Sequence, residues 1–349
     1  MQSNPILARA ERFGGVIFPD DMTLLTEDLK LAMDAQPALA TTLNAGIPAI
    51  LTTFIDPDIL EIMVAPMMAA VILGEAKKGD WTSQTAMFPI VERTGFVSSY
   101  DDYGQDGMAG SNTQFPQRQH YRFQTNLNYG DLEVEKMGLT KINWIAQLQK
   151  AAALALRKFE NYCYFKGVAG LQNYGLLNDP ALTSTLSPGT KVAGNGNVWI
   201  YNGQLNNASD PNFALEVYAD IQSMWIQLVK QTNGLVNAMT PITLAMHPTS
   251  ALALTATNTY NVNVYDLLRK NFPNIRFEVA VEYSTAAGYL VQMICPELEG
   301  QRTAYCAFSE KMRSHRIIPR ASSFEQKKSG GVWGTVIRQP YNIVGLLGV

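Results

Sequence analysis

The side chains of this chain that could move a proton near neutral pH are its three histidines, His120, His247 and His315. None has a partner at helical or C-x-x-C spacing, so none belongs to a metal-ligand pattern. His247 precedes Pro248 at a strand end and could serve as a base, although a lone histidine in such a place is more often structural. No Gly-x-Ser-x-Gly elbow, phosphate-cradling glycine loop or H-E-x-x-H helix occurs, and Gly194-Asn-Gly196 lacks the third glycine and following helix of a dinucleotide site. Asp101, Asp102 and Asp106 invite a calcium loop, but counting from Asp102 puts Gly104 at the third ligand position and Thr113 at the twelfth, so the pattern fails twice. Arg313, His315, Arg316 and Arg320 form the one basic cluster, suited to phosphates, to a neighbour's carboxylates, or to nothing but water. Cys163, Cys295 and Cys306 are odd in number and read as small core hydrophobes in a reduced compartment. No catalytic residue, cofactor or metal is expected.

Composition points away from several other classes. The 349 residues are 47% hydrophobic, which supports a sizeable core and excludes disorder throughout. Only 16% are charged, below the roughly 25% of average soluble domains, so much of the surface is expected to meet other protein. The 27 basic and 30 acidic residues leave a net charge of -3, without any run resembling a nucleic-acid tail. The first residues lack a signal peptide's basic and apolar regions, so export is not expected. The apolar run from Ile59 to Leu73 is too short for a membrane span and contains Glu61 and Pro66.

Hydrophobic spacing assigns the elements that would carry these residues. Ile142, Ile145, Leu148, Ala152, Leu156, Phe159 and Cys163 lay one stripe along a helix over 140–166, with Lys141, Gln147, Arg157 and Glu160 on the wet side. Thr140 is the expected N-cap and Gly167 the left-handed stop. A loop follows, Gly170-Leu-Gln-Asn-Tyr-Gly-Leu-Leu-Asn-Asp-Pro180, whose Leu176 and Leu177 would pin it back onto the helix. Upstream, short helices are expected at 22–35 and at 57–76, the second apolar on nearly every side. Between 80 and 130, an outgoing strand (Met87–Val91, Phe96–Val97) and a returning one (Tyr121, Phe123, Thr125, Leu127, Tyr129) flank a Gly- and Asp-rich tip. After Gly130 the alternation shifts phase to Leu132 and Val134, as at a strand bend. Past the turn-rich link at 187–196, a helix begins at Asp210-Pro211 with Phe213, Val217, Ile221, Met224 and Leu228 buried. Strands at 241–246, 275–281, 289–294 and 304–308 and a helix near 264–271 complete an α+β unit, before extended patterning resumes to Val349.

A polar extended arm, a long helix, a Gly-Leu-Leu-Asn-Asp-Pro loop and then a mixed unit: this order resembles the major capsid proteins of tailed phages, the Hong Kong-97-type fold. The resemblance implies an α+β subunit with an N-terminal arm (1–78), an extended β-hairpin loop (79–130), a peripheral domain (131–205 and 310–349) with a spine helix, and an axial domain (206–309). It implies self-assembly into pentamers and hexamers of an icosahedral shell around double-stranded DNA, with portal and possible decoration or scaffolding proteins as partners and no membrane. The subunit would belong to the virion and be assembled in the host bacterial cytoplasm. In that family the extended loop lies across a neighbouring subunit, which nominates Phe88, Ile90, Phe96, Tyr103, Phe115, Tyr121, Phe123 and Leu127 as interface residues. Arg313, Arg316 and Arg320 would face DNA, non-specifically, or a neighbour. Some relatives weld subunits through Lys–Asn isopeptide bonds; Lys77 and Lys78 show no activating context, and none is expected. The alternatives are an encapsulin-like compartment shell and a soluble two-domain α+β enzyme with a cleft.

Overall fold

The computed structural model describes residues 65–139, 143–192, 196–206 and 210–349, all within the second of two units into which the chain divides after Leu60. The expected helix at 22–35, the start of that at 57–76, and Thr140 and Ile142 lie outside the described residues. The first described elements are α1 (Ala69–Leu73), β1 (Glu75–Lys77), β2 (Thr85–Met87), β3 (Ile90–Phe96), β4 (Met108–Gln114), β5 (Gln117–Gln119) and β6 (Tyr121–Gly130). Two helices follow, α2 (Asp131–Leu139) and α3 (Trp144–Lys166), then the hairpin β7 (Ile200–Tyr201) and β8 (Gln204–Leu205). Next come α4 (Pro211–Gln231), β9 (Ile242–Met246), α5 (Pro248–Ala251), α6 (Val264–Asn271) and β10 (Ile275–Val279). The chain ends through β11 (Ser284–Thr285), β12 (Gly288–Ile294), β13 (Glu297–Leu298), β14 (Gln301–Arg302), β15 (Ala304–Pro319), β16 (Ser323–Ile337) and β17 (Ile343–Leu347).

The long helix is α3. Its N-cap is Asn143, whose side chain accepts the Ala146 N–H at 3.0 Å, and Gly167 (φ +65°) ends it. At about 1.5 Å per residue its length is roughly 35 Å. Leu156, Cys163, Tyr164 and Phe165 are buried, whereas Ile145 and Leu148 near the N-terminus are half-buried. Glu160, assigned by spacing to the wet face, is buried. The Tyr164 hydroxyl donates to its carboxylate at 2.7 Å, and burial raises its pKa above the usual carboxylate value.

The loop after α3 closes the helix end. A helix leaves its last carbonyls without intrahelical donors. Here Leu176 N–H reaches Tyr164 O (2.8 Å), Leu177 N–H reaches Phe165 O (2.9 Å) and Asn178 Nδ2 donates to Lys166 O (2.6 Å). Leu176, fully buried, anchors the return. The approach is so close that a Cβ on Gly175 would stand 2.2 Å from the Phe165 carbonyl carbon.

Two sheets pack around this helix. One has the order β1-β15-β16-β6, β1 parallel to β15 and the rest antiparallel. The other runs β10-β9-β12-β11, with β17 also paired to β12. The second sheet is buried on both faces. Leu244, Met246, Val291 and Met293 meet the α4 stripe of Phe213, Val217, Ile221, Met224 and Leu228, while Ala245, Leu290, Ile294 and Ile343 join a core with Leu156, Phe165 and Leu176. The α4 stripe is the one its spacing specifies. A buried ion pair of Lys191 Nζ with Asp220 Oδ2 (2.5 Å), joined by the Trp199 indole N–H (2.7 Å), ties Lys191 and Trp199 to α4.

Three expectations are corrected. Residues 131–139 form helix α2, with Asp131 and Glu133 favourably placed in its first turn, where strand was expected. β15 starts at Ala304, inside the segment assigned to the second domain, and joins the sheet that α3 covers. Of the segment 310–349, β16 stays with that sheet, but β17 pairs with β12, where Val344 and Leu346 join the α4 core on one face and Ile343 the α3 core on the other.

Gly175→Ala is expected to lower stability by about 1–3 kcal/mol, since the methyl has no space. Gly138→Ala, in exposed α2 with nothing within 4 Å, should instead raise it by up to ~1 kcal/mol. Thermal melts of both variants check this; equal shifts would refute the close approach.

Candidate assembly interface

Residues 85–119 form a projecting arm of two stacked hairpins. At the root β2 pairs with β5; beyond it β3 pairs with β4, from Ile90 opposite Gln114 to Phe96 opposite Met108. Every residue of β4, and every one of β3 after Ile90, is exposed. Val97, Tyr100 and Tyr103 at the tip are 97%, 91% and 95% exposed, so their own chain does not cover them. An isolated two-stranded ribbon is marginally stable at best in water.

The root is held firmly. Phe88 is buried against Tyr305, with ring centroids 6.5 Å apart, in a small core that includes Ala307, Trp333 and Val336. Arg118, buried, donates to Asp179 at 2.5 Å and lies 4.9 Å from the Tyr174 ring centroid. His120 stacks on Trp333 (4.6 Å), meets Trp81 edge-on (6.1 Å), and shares a 2.6 Å hydrogen bond with Ser309 through Nε2. Burial, helped by the nearby Arg122 charge, lowers the His120 pKa to about 4. Arg122 in turn donates to the Trp81 and Ser83 carbonyls at 2.8 and 3.0 Å.

The structure divides the eight nominated interface residues. Phe96, Tyr103 and Phe115 are exposed, and Ile90 is half-buried at the start of the free ribbon. Phe88 belongs to the root. Tyr121, Phe123 and Leu127 are corrected: they lie on β6, which pairs with β16 and not with the outgoing strand. Phe123 and Leu127 are buried, and Phe123 and Tyr121 pack 4.9 and 5.8 Å from the Phe159 ring of α3. Their alternation signals one covered face, and α3 covers it. The strand that does return is β4, Met108-Ala-Gly-Ser-Asn-Thr-Gln114, whose sequence has no apolar alternation because neither face meets a core.

Arg313, Arg316 and Arg320 are all exposed near the far end of the long β15–β16 ribbon. Arg320 pairs with Glu325 at 2.9 Å, and Arg313 lies 3.9 Å from Glu310 and 5.9 Å from the Trp81 ring centroid. The other chemistry-bearing residues serve the fold. His247 Nδ1 accepts the Thr249 N–H at 3.2 Å as a helix cap and its ring stacks on Tyr289, while His315 bonds Ser329 at 2.8 Å. All three cysteines are free and buried; burial pushes the Cys163 thiol up to about 12 and raises those of Cys295 and Cys306. Among the described residues no cluster of three or more His, Cys, Asp or Glu could hold a metal, and no helix is long and apolar enough to cross a membrane. Sequence reasoning missed the Arg118–Asp179 pair and the packing of His120 between Trp81 and Trp333; nothing local marks such partners, up to 213 positions apart in numbering, as neighbours.

Solved structures share this arrangement. The capsid of the Myoviridae phage XM1 matches at a TM-score of 0.66 and 14% identity, over 87% of this chain and 99% of that one. The capsid of a native GTA particle matches at 0.58 and 10% identity (89% and 99%), and that of cyanophage P-SCSP1u at 0.56 and 12% (85% and 92%). At these identities the likeness establishes the fold, which is of the phage-capsid type. No curated protein matches by sequence. The profile of the family described as Pa193 gp26 major capsid protein matches residues 38–348, nearly the whole chain, and the chain therefore belongs to that major capsid protein family.

Proposed function

We propose that this capsid subunit assembles through pentamers and hexamers into an icosahedral head shell around the double-stranded DNA of a tailed bacteriophage, and that the 85–119 arm is the element that joins subunits. The observation that carries the proposal is the arm itself: a ribbon clamped at one end by Phe88, Arg118 and His120 and bare along the rest. Ile90, Phe96, Tyr103 and Phe115 are its neighbour-facing residues. In this reading 131–205 and 310–349 make the peripheral domain, apart from β17, and 206–309 the axial one, apart from the start of β15 at Ala304. Portal, scaffolding or decoration proteins are further partners, packaged DNA is touched without sequence preference, and assembly takes place in the bacterial cytoplasm. The subunit works by geometry and has no catalytic role.

Contacts along one arm are each modest, but a subunit tethered at several edges gains through effective concentration. Head-to-tail contacts that close about an axis give a shell and not a fibre.

Phe96 and Met108 face each other across the ribbon and are 60% and 70% exposed. Replacing both by serine should change the subunit's own stability by no more than about 0.5 kcal/mol, yet sharply reduce particles seen by negative-stain microscopy and sedimentation. Undiminished particle yield would count against the arm. A second test uses His120. Unfolded, the imidazole titrates near 6.5; folded, near 4. Unfolding therefore takes up a proton between these values, so stability is retained above pH 6.5, falls as pH drops towards 4, and levels off below. The unfolding constant should rise by up to tenfold per pH unit in that window. His120→Gln should show a shallower decline, while the His247 contribution, also shifted down, stays in both proteins. Identical pH slopes would show that His120 is not held neutral.

A further inference from the structure

We propose that a groove along α3 is a binding site for a primary alkylammonium ligand, whose charged head meets Glu160 and whose hydrocarbon tail lies on Leu156 and Met312. The cavity has a volume of about 410 Å³, and small-molecule sites run from roughly 300 to 1,000 Å³. One wall is α3, which turns Ala153, Leu156, Glu160 and Tyr164 to the same side because they recur at steps of three and four. Opposite stand Ala70 of α1, Glu75 of β1 and Met312 of β15.

Glu160 sets the chemistry. It is only 6% exposed, and an ionised carboxylate carries two acceptor oxygens that burial obliges the protein to satisfy. Among the described residues the Tyr164 hydroxyl alone donates to it, through Oε1 at 2.7 Å. Asn161, beside it, is committed elsewhere: its Oδ1 accepts the Ala69 N–H at 3.2 Å and its Nδ2 donates to Glu282. The Lys311 ammonium is committed to Glu75. Glu160 Oε2 is thus left without a donor in a residue that lines the cavity.

The charges facing Glu160 select the sign of the ligand. They are Glu75 on β1, Lys311 on β15 and Arg157 on its own helix. Burial raises the Glu160 pKa, the Tyr164 hydrogen bond opposes the rise, and the Glu75 charge adds more to it than either Lys311 or Arg157 takes away. An ammonium head brings the missing positive charge and three donors. A carboxylate ligand would add a third acid to two, and an alcohol would leave the charge without a counter-ion. Beyond the head the wall of Ala70, Ala153, Leu156 and Met312 is apolar, which suits a hydrocarbon tail. Arg157, between Ala153 and Glu160 in the same groove, disfavours a second ammonium further along.

The test is titration of the full-length protein with n-hexylamine, read by calorimetry and by thermal melting, beside hexanol, hexanoate and hexane diamine. Hexylamine should bind and raise the melting temperature, roughly tenfold more tightly than hexanol or hexanoate and more tightly than the diamine. Its affinity should fall as pH drops through the raised Glu160 pKa, by up to tenfold per unit, because the protonated acid must give up its proton to pair with the ammonium. Glu160→Gln, which keeps an acceptor for Tyr164, should weaken hexylamine roughly tenfold and flatten that pH dependence. Ala153→Leu, which fills the wall of the tail and leaves Glu160 in place, should weaken binding with the pH dependence retained; melts of both variants without ligand show whether the fold is intact. Equal binding of hexylamine and hexanol, or equal affinity in the Glu160→Gln protein, would overturn the inference by showing an apolar slot indifferent to the acid. Tighter binding of hexanoate would assign the groove to anions, and tighter binding of the diamine would remove the single charged head; either overturns it. Neither heat nor a melting shift with any of the four would mean a cavity that holds only water, and would overturn it as well. None of these outcomes bears on the capsid reading, which does not use the groove.

Discussion

The open carbonyls at the C-terminal end of α3 are the constraint from which the rest of the subunit follows. A helix of this length must hand its last acceptors to donors elsewhere, and here the 168–180 loop, β16 and the arm root all converge on that end. Thr335 Oγ donates to Tyr164 O at 2.7 Å, while Thr335 N–H takes Tyr174 O at 2.9 Å. Gly334, at φ +77°, lies where a Cβ would be 2.3 Å from the Tyr174 carbonyl oxygen. Asn173 Nδ2 bridges the carbonyls of Gln119 and Val332, each at 3.2 Å, and Gln119 N–H reaches Gln172 O at 2.9 Å. One loop thus fixes the helix end, the central strand of the sheet and the arm's point of departure to each other.

The same loop couples the two sheets. Gln292, buried in the middle of β12, donates to Leu176 O at 3.4 Å and accepts from the Tyr283 hydroxyl at 3.0 Å. Because the five-stranded sheet buries both faces, one against α4 and the other against the α3 core, a shift of either helix would open apolar surface on both sides of it. Close packing makes the body that bears the arm stiff. Stiffness matters for a subunit whose contacts must close at fixed angles, since a soft body would let the same contacts close rings of different sizes.

The parts legible in the sequence were those that a single element decides for itself. The α4 stripe, the glycine stop at 167 and the Leu176 return depend on local spacing and local backbone geometry, and the structure places them as their residues specify; of the α3 stripe Ala152, Leu156 and Cys163 are buried, and Ile145, Leu148 and Phe159 half-buried. Partners were not legible. Alternation in Tyr121–Tyr129 reports that one face is covered but not by what, so a strand that lies under α3 was read as the arm's return. Residues 131–139, where Leu132 and Val134 read as strand alternation out of phase, have no buried side chain to fix a period and folded as α2. Glu160 shows the limit from the other side: its position on the helix marks it as wet, yet tertiary neighbours enclose it and Tyr164 supplies the hydrogen bond that burial requires. Of the joining surface, the sequence marked the segment through its Gly- and Asp-rich tip but assigned its apolar residues partly to the wrong side.

An arm that is bare in the free subunit carries a physical consequence for when it becomes ordered. Its ribbon hydrogen bonds gain no core, and conformational entropy of roughly 1–2 kcal/mol per residue opposes them. The clamp at Phe88, Arg118 and His120 limits that loss to the residues beyond the root. In the proposed joining role, a neighbour would supply the apolar cover that the paired β3 and β4 lack, and the ordering cost would keep each isolated association weak and reversible. Weak, reversible contacts allow misplaced subunits to leave before a closed array locks them in. In the same proposed role, an arm richer in apolar residues would bind more tightly one contact at a time and trap such errors, so the poverty of β4 in apolar residues would suit reversible assembly.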